Sequence, residues 1–241
     1  MSPENNEVLV FTPTPNEHAA VKKHLAAAEF KNFTAQVIES GPGKINATFK
    51  MTAEVLPRLA GGRKPLCLVG AGTSGSLNLQ MTAGDIIISR SCFISDWRME
   101  DDSSRQHGPY GQFSYAPIES VKLEDLSISC QSPAIARLLD KLDGAGFKKG
   151  RLMTSDTFVA GSGNKLSQGR DFDCLACDME SGAFAYTAQH LLGGLPWFNL
   201  RVVADTLDET LEDYFTKEVD MVEILGAKTA EALKALDALL D

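Results

Sequence analysis

The sequence predicts an α/β protein: one domain with a mixed, mostly parallel central sheet flanked by helices. Three observations carry this expectation. Short apolar runs of strand length alternate with segments of helical period. The runs are apolar throughout, as in strands buried within a largely parallel sheet. No internal repeat or low-complexity linker divides the 241 residues, a length that α/β folds commonly fill as a single domain.

Element by element, Val8 to Phe11 reads as a buried strand and Glu17 to Ala28 as a helix. Ala35 to Glu39 is a second strand, followed by the turn Gly41-Pro42-Gly43 and a helix from Lys44 to Leu59. Leu66 to Val69 is a third strand, and Asp85 to Ser89, with three consecutive isoleucines, a fourth. Ser132 to Ala145 has helical spacing. Cys174 to Cys177 is a short strand leading into a helix from Glu180 to Leu192, and Asn199 to Ala204 is another strand. The tail from Leu211 to Leu240 is an amphipathic helix with Ala232, Leu233, Leu236, Leu239 and Leu240 near one face. Ser95 to Pro117 breaks the rhythm: it is rich in Asp, Ser, Gly and aromatics and has no period. So long an irregular stretch in a compact domain is expected to serve as a lid or an interface segment.

Composition narrows the function. Charged residues make up 23% of the chain, hydrophobic residues 44%, and the net charge is -9 with no Lys/Arg run. That balance repels phosphate backbones and argues against nucleic-acid binding, favouring a small substrate of low charge. The polar, acidic start from Met1 to Glu7 is not a signal peptide, and no apolar run is long enough to span a membrane. Five scattered cysteines (Cys67, Cys92, Cys130, Cys174 and Cys177) suit a reduced, cytoplasmic chain better than a disulfide framework.

Gly70-Ala71-Gly72-Thr73-Ser74-Gly75 has GxGxxG spacing after a strand. It sits mid-chain, however, no convincing helix follows it, and the next acid, Asp85, begins a strand instead of ending one, so the dinucleotide reading gives way to a glycine-rich turn that admits a ligand close to the backbone. Cys174-Leu175-Ala176-Cys177 lacks the second ligand pair that structural zinc requires and reads as core packing; no metal or cofactor is expected. Two acids draw more attention. Asp178-Met179-Glu180 leaves one strand for a helix, and Asp205 ends another. Open α/β sheets bind ligands at strand C-termini, so these carboxylates are a candidate acid/base pair, although Asp178 alone would suit helix capping. The histidines, His18, His24, His107 and His190, suggest no nucleophilic triad.

Five segments, taken in order, resemble the nucleoside phosphorylase and nucleosidase superfamily, most closely its methylthioadenosine/adenosylhomocysteine nucleosidase branch. They are Ser40-Gly41-Pro42-Gly43-Lys44, Gly72 to Leu77 with Gly84 to Ser89, Thr154 to Phe158, Asp178-Met179-Glu180-Ser181, and Arg201-Val202-Val203-Ala204-Asp205. The resemblance implies a nucleoside phosphorylase-like fold over residues 1–241 and a purine nucleosidase acting on a 5′-modified adenosine, needing no cofactor. It makes Asp205 the acid that protonates N7 of the leaving purine and Glu180 the ligand of the ribose hydroxyls. Glu17 would activate water. Met179 would pack under the ribose, Phe158 would stack on the base and Val159 would offer backbone contacts. Thr73, with Ser74 and Gly75 beside it, would lie near the attacking oxygen. N-glycosidic cleavage passes through a cationic sugar, so the resemblance further requires a protonated Asp205 and an ionised Glu180.

Within the family, a phosphorylase needs arginines for phosphate. Here Gly70 stands where one would be, the first turn between Phe11 and His24 has none, and the SGxGK turn carries only Lys44, which favours hydrolysis over phosphorolysis. Val159 to Asn164 lacks the Gln and Arg of the uridine-specific branch. Departures from the pattern are Thr73 and Ala204, each in place of serine, Pro15-Asn16 before Glu17, and the Ser95 to Pro117 stretch, which in the family shapes the 5′-substituent pocket across a dimer interface. A purine nucleoside phosphorylase, a futalosine-type nucleosidase and a non-catalytic nucleoside-binding member stand as alternatives. A homodimer or higher homo-oligomer is implied.

Overall fold

The computed structural model describes residues 6–96, 98–100, 105–107, 127–159, 161–206 and 211–240. Strand β1 (Glu7–Thr12) leads to helix α1 (Pro15–Ala26), β2 (Thr34–Glu39) to α2 (Lys44–Ala60), and α2 to the long strand β3 (Cys67–Ser76). Then come β4 (Ile86–Ser89), β5 (Ser91–Ile94), β6 (Arg98–Glu100), β7 (Arg105–His107) and β8 (Ile128–Ser129). Helix α3 (Pro133–Leu142) is followed by β9 (Lys148–Lys149), β10 (Leu152–Thr154), α4 (Ser162–Phe172) and β11 (Ala176–Asp178). Helix α5 (Ser181–Tyr186) runs on into a π-helical turn (Thr187–Leu191) before β12 (Trp197–Asp205) and α6 (Leu211–Asp237).

Ten strands form one mixed sheet in the order β8-β5-β10-β11-β3-β12-β4-β9, with β1 added to β3 and β2 to β1. The pairs β1–β2, β1–β3, β3–β12, β5–β10, β10–β11 and β4–β9 are parallel. The pairs β3–β11, β4–β12 and β5–β8 are antiparallel. This is the expected mixed, mostly parallel sheet. Its central strands are apolar because both faces are covered: Leu68, Val69, Ile87, Ile88, Leu200 and Val202 are all fully buried in one core.

Strand β3 positions the site. Along one edge it pairs with β12 from Leu68 to Gly75. Along the other it pairs with β1 only as far as Gly70 and with β11 only at Gly75 and Ser76. The two neighbours diverge between these points, and a sheet opens for a ligand where its strand order switches. The ladder groups left over there need other partners: the Thr73 amide donates to the Glu17 carboxylate at 2.7 Å.

The expected glycine-rich turn is instead part of this strand, and the glycines serve the packing of β12. Gly70, Gly72 and Gly75 lie in register with Asn199, Arg201 and Asp205. A Cβ on Gly70 would collide with the Asn199 side-chain oxygen, one on Gly72 would lie 2.9 Å from an Arg201 guanidinium nitrogen, and one on Gly75 would lie 2.9 Å from both Asp205 oxygens. None of the three has a positive φ; each leaves out a side chain so that a long polar one can cross the strand. A register shift between Val203 and Asp205 gives β12 one extra residue against β3. Such a bulge turns the following side chain, and it swings Asp205 over Gly75.

The elements absent from the sequence reading were the short strands β5, β8, β9 and β10, the β6–β7 pair and helix α4. Strand β10 is three residues long, below the reach of any period, and α4 (SGNKLSQGRDF) has two glycines and no apolar stripe. Of the Ser95 to Pro117 stretch, β6 and β7 pair as an antiparallel hairpin; residues 97, 101–104 and 108–117 lie outside the described residues.

Candidate active site

A cavity of about 390 Å³ opens at the divergence point of β3, large enough for a nucleoside. Its walls bring together every residue singled out in the sequence: Glu17, Thr73, Ser74, Gly75, Phe158, Val159, Met179, Glu180 and Asp205. Asp178 and Lys165 also line it. Asp205 and Glu180 therefore face one hollow, although they come from strands on opposite sides of β3.

Glu17 is set by the start of α1. Thr14 caps the helix, accepting from the Glu17 amide at 3.3 Å, while the Glu17 carboxylate accepts from the Thr14 amide and hydroxyl, both at 2.9 Å. This is a capping box with Pro15 in the first turn. The other carboxylate oxygen takes the Thr73 amide and the Thr73 hydroxyl, at 2.7 and 3.0 Å. Glu17 is thus a buried carboxylate bridging a helix N-terminus and the open edge of β3.

Asp178 ends β11 and caps α5, accepting from the amides of Glu180 and Ser181 and from the hydroxyls of Thr154 and Ser181. It also receives the Arg201 guanidinium at 2.5 Å, and Glu180 lies 3.7 Å from the same guanidinium. Arg201 is 1% exposed; a cation buried so deeply needs its carboxylates. Glu180 accepts from the Gly43 amide at 2.8 Å, which ties the turn before α2 to the cavity. Burial, reinforced by the charge of Asp178, pushes the Glu180 carboxyl up to about 8 despite the pull of Arg201 and the Gly43 amide. Burial thus works against the ionised Glu180 that the resemblance implied, while the Arg201 guanidinium and the Gly43 amide work for it.

Asp205 is paired as well. The Lys165 ammonium lies 2.5 Å from its carboxylate and 2.8 Å from the Thr206 carbonyl, and the side chains of Lys165 and Asp205 are 1% and 2% exposed. Sequence reasoning missed Lys165, because a single lysine in a polar, glycine-containing helix has no signal of its own. Arg201 was visible only as part of a motif; its partnership with Asp178 spans 23 residues of chain.

The two cysteines of the CxxC pair are buried, and burial drives both thiols up, Cys174 to about 12. They pack in a small apolar cluster with Leu77, Phe93 and Met153. Among the described residues, no cluster of histidines, cysteines and carboxylates has the arrangement of a metal site.

A family model described as the phosphorylase superfamily matches residues 7–241. The chain belongs to the phosphorylase superfamily. A 5′-methylthioadenosine/S-adenosylhomocysteine nucleosidase of Staphylococcus aureus is 25% identical over 203 residues, covering 82% of this chain and 79% of that protein. Among solved structures, a Helicobacter pylori 5′-methylthioadenosine/S-adenosylhomocysteine nucleosidase superposes with a TM-score of 0.72 at 19% identity, covering 98% of each chain. The futalosine hydrolase of Helicobacter pylori superposes with a TM-score of 0.70 at 20% identity, covering 96% of this chain and 97% of that one. At such identities the structures share the fold.

In this member of the superfamily, the cations nearest the cavity are committed to carboxylates. Arg201 is held by Asp178 and Glu180. Lys44 is held by Asp96 and by Asp156, the latter at 3.0 Å. The amides and hydroxyls of Thr14 and Thr73, which would suit an incoming anion, already hold the Glu17 carboxylate.

Proposed function

We propose that this chain is a purine nucleosidase that hydrolyses the N-glycosidic bond of a 5′-modified adenosine of the methylthioadenosine or adenosylhomocysteine type. The observation that carries this reading is the convergence of Glu17, Glu180 and Asp205 on one cavity, with Glu17 occupying the donors that a phosphate would need. A carboxylate in that position repels a phosphate dianion and accepts a proton from water. The Staphylococcus aureus relative supports the choice of substrate class.

In the proposed reaction the purine stacks on Phe158 beside Val159, and the ribose rests on Met179 with its hydroxyls on Glu180. Bond breaking leaves positive charge on the sugar and negative charge on the base. Glu180 stabilises the first once ionised, because a carboxylate close to a forming cation binds the transition state better than the ground state. Asp205 delivers a proton to N7, and Glu17 takes one from the water that joins C1′. Thr73 holds Glu17 in place through its amide and hydroxyl.

The test is release of free base from a panel of nucleosides, including methylthioadenosine, adenosylhomocysteine, futalosine and adenosine, each with and without phosphate. Hydrolysis requires full activity in phosphate-free buffer. Activity that appears only with added phosphate would make the chain a phosphorylase. The likeness to the futalosine hydrolase gives that substrate its place in the panel, and binding with no turnover on any member would make the chain a nucleoside-binding protein.

The reading extends to assembly and setting. On α2, Ile45, Phe49 and Leu56 are 82%, 71% and 45% exposed at helical spacing, an apolar stripe suited to a second copy of the chain. Five free, buried cysteines suit the reducing cytoplasm. Among the described residues no helix is long and apolar enough to cross a membrane.

A further inference from the structure

The nucleosidase mechanism asks for a proton at Asp205, yet the structure puts an ammonium beside that carboxylate. An acid standing alone would need its proton affinity raised by burial. Lys165 changes the requirement. An ammonium next to a carboxylate contains the same number of protons as an amine next to a carboxylic acid, so in either form the pair carries one transferable proton.

Lys165 projects from α4 with its Nζ between the Asp205 carboxylate at 2.5 Å and the Thr206 carbonyl at 2.8 Å. It is the one cationic side chain among the described residues that line the cavity. Facing the pair are carboxyl groups from separate elements: Glu17 on α1, and Asp178 and Glu180 at the β11–α5 junction. The Cys177 thiol on β11 also feels the Asp205 charge, and burial keeps it protonated. Arg201, on the same strand as Asp205, is committed to Asp178 and Glu180. In so acidic a cavity a second carboxylate charge beside the purine would oppose departure of an anionic base, and Lys165 offsets it.

We propose that Lys165 is the proton source for the leaving purine and acts through Asp205, an inference that rests on the nucleosidase reading. As the C1′–N9 bond breaks, its electron pair moves onto the purine. The Lys165 ammonium first passes a proton to Asp205, and the carboxylic acid so formed gives a proton to N7. The purine leaves neutral, Asp205 is a carboxylate again, and Lys165 becomes a neutral amine. The water oxygen bonds to C1′ and its proton passes to Glu17. Glu17 then loses that proton to solvent, and Lys165 regains one.

The test compares the wild-type enzyme with Lys165→Met and Lys165→Arg on two substrates. One is methylthioadenosine. The other is 4-nitrophenyl β-D-ribofuranoside, whose leaving group departs without a proton. Met at this position is expected to lower kcat on methylthioadenosine by on the order of 10²–10⁴-fold. The loss on the nitrophenyl riboside should be at least about ten-fold smaller, because only the purine has to be protonated. The alkaline limb of kcat on methylthioadenosine should move to lower pH, since an isolated carboxyl gives up its proton earlier than the pair. Arginine keeps the charge beside Asp205 and does not release its proton, so Lys165→Arg should bind nucleoside and stay slow. It also serves as the second variant should the Met protein not fold.

Full kcat in Lys165→Arg would reduce Lys165 to an electrostatic holder of Asp205 and overturn the proposal. Equal losses on both substrates, or an unmoved alkaline limb, would do the same. A wild-type enzyme silent on every nucleoside would overturn the nucleosidase reading itself and this inference with it, an outcome distinct from an active wild type that is indifferent to Lys165.

Discussion

Glu180→Gln separates two accounts of the same buried carboxyl. Glutamine keeps the shape of the protonated acid and an oxygen for the Gly43 amide, 2.8 Å away in the native enzyme, but it cannot ionise. Burial, with the Asp178 charge second, raises the native Glu180 from 4.5 to about 8. Below about pH 4.5 native and unfolded chains both hold the proton, and the carboxyl contributes no pH dependence. Between about 4.5 and 8 the native state holds a proton that the unfolded state has lost, so stability falls as pH rises, by at most about 1.4 kcal/mol per unit. Above about 8 the full cost is present, a ceiling on the order of 5 kcal/mol for a shift of this size. A chain of this length changes Tm by about 2–4 °C per kcal/mol. The variant should match wild type near pH 5 and out-melt it by at least about 5 °C at pH 9, followed by circular dichroism at constant ionic strength. A difference that stays flat or narrows with rising pH would mean that Arg201 holds Glu180 ionised in the native state, and the electrostatic reasoning would fail.

Other outcomes follow from the same geometry. If ribose binding needs the Glu180 carboxylate, kcat/KM should rise with pH through about 8, and that limb should vanish in Glu180→Gln. Asp205→Asn should cut kcat by on the order of 10²–10⁴-fold while nucleoside affinity, measured by calorimetry, changes far less; parallel losses would assign Asp205 to binding. Gly72→Ala places a Cβ 2.9 Å from the Arg201 guanidinium and 3.2 Å from the Glu17 carboxylate, groups that Asp178, Thr14 and Thr73 prevent from yielding. It should cost about 1–3 kcal/mol in a denaturant melt; a neutral result would mean that Arg201 has room to move. If the proposed self-association runs through α2, where Phe49 is 71% exposed in the single chain, Phe49→Glu should leave a monomer in light scattering, and an unchanged mass would refute that interface.

Much of the architecture was legible in the residues. Strands such as Ile86 to Ser89 and Asn199 to Ala204 declare themselves because a strand covered on both faces must be apolar along its length. The strand-ending acids were readable for a similarly local reason, since each simply follows the apolar run that it ends, whereas the Thr14–Glu17 cap came to light only in the structure. Strand β10, at three residues, and the polar helix α4 carry too little periodicity to be read. Gly70, Gly72 and Gly75 suggested a turn because spacing alone does not tell a glycine needed for positive φ from one that makes way for a neighbouring strand.

The sequence by itself determined the alternation of buried strands and helices, the placement of acids at strand ends, and the family. Tertiary structure decided which charges meet. Lys165 reaches Asp205 across 40 residues of chain, and Arg201 reaches Asp178 across 23. Proton affinities in a buried site depend on distances between such groups and on their removal from water, and neither quantity exists until the sheet has closed around them.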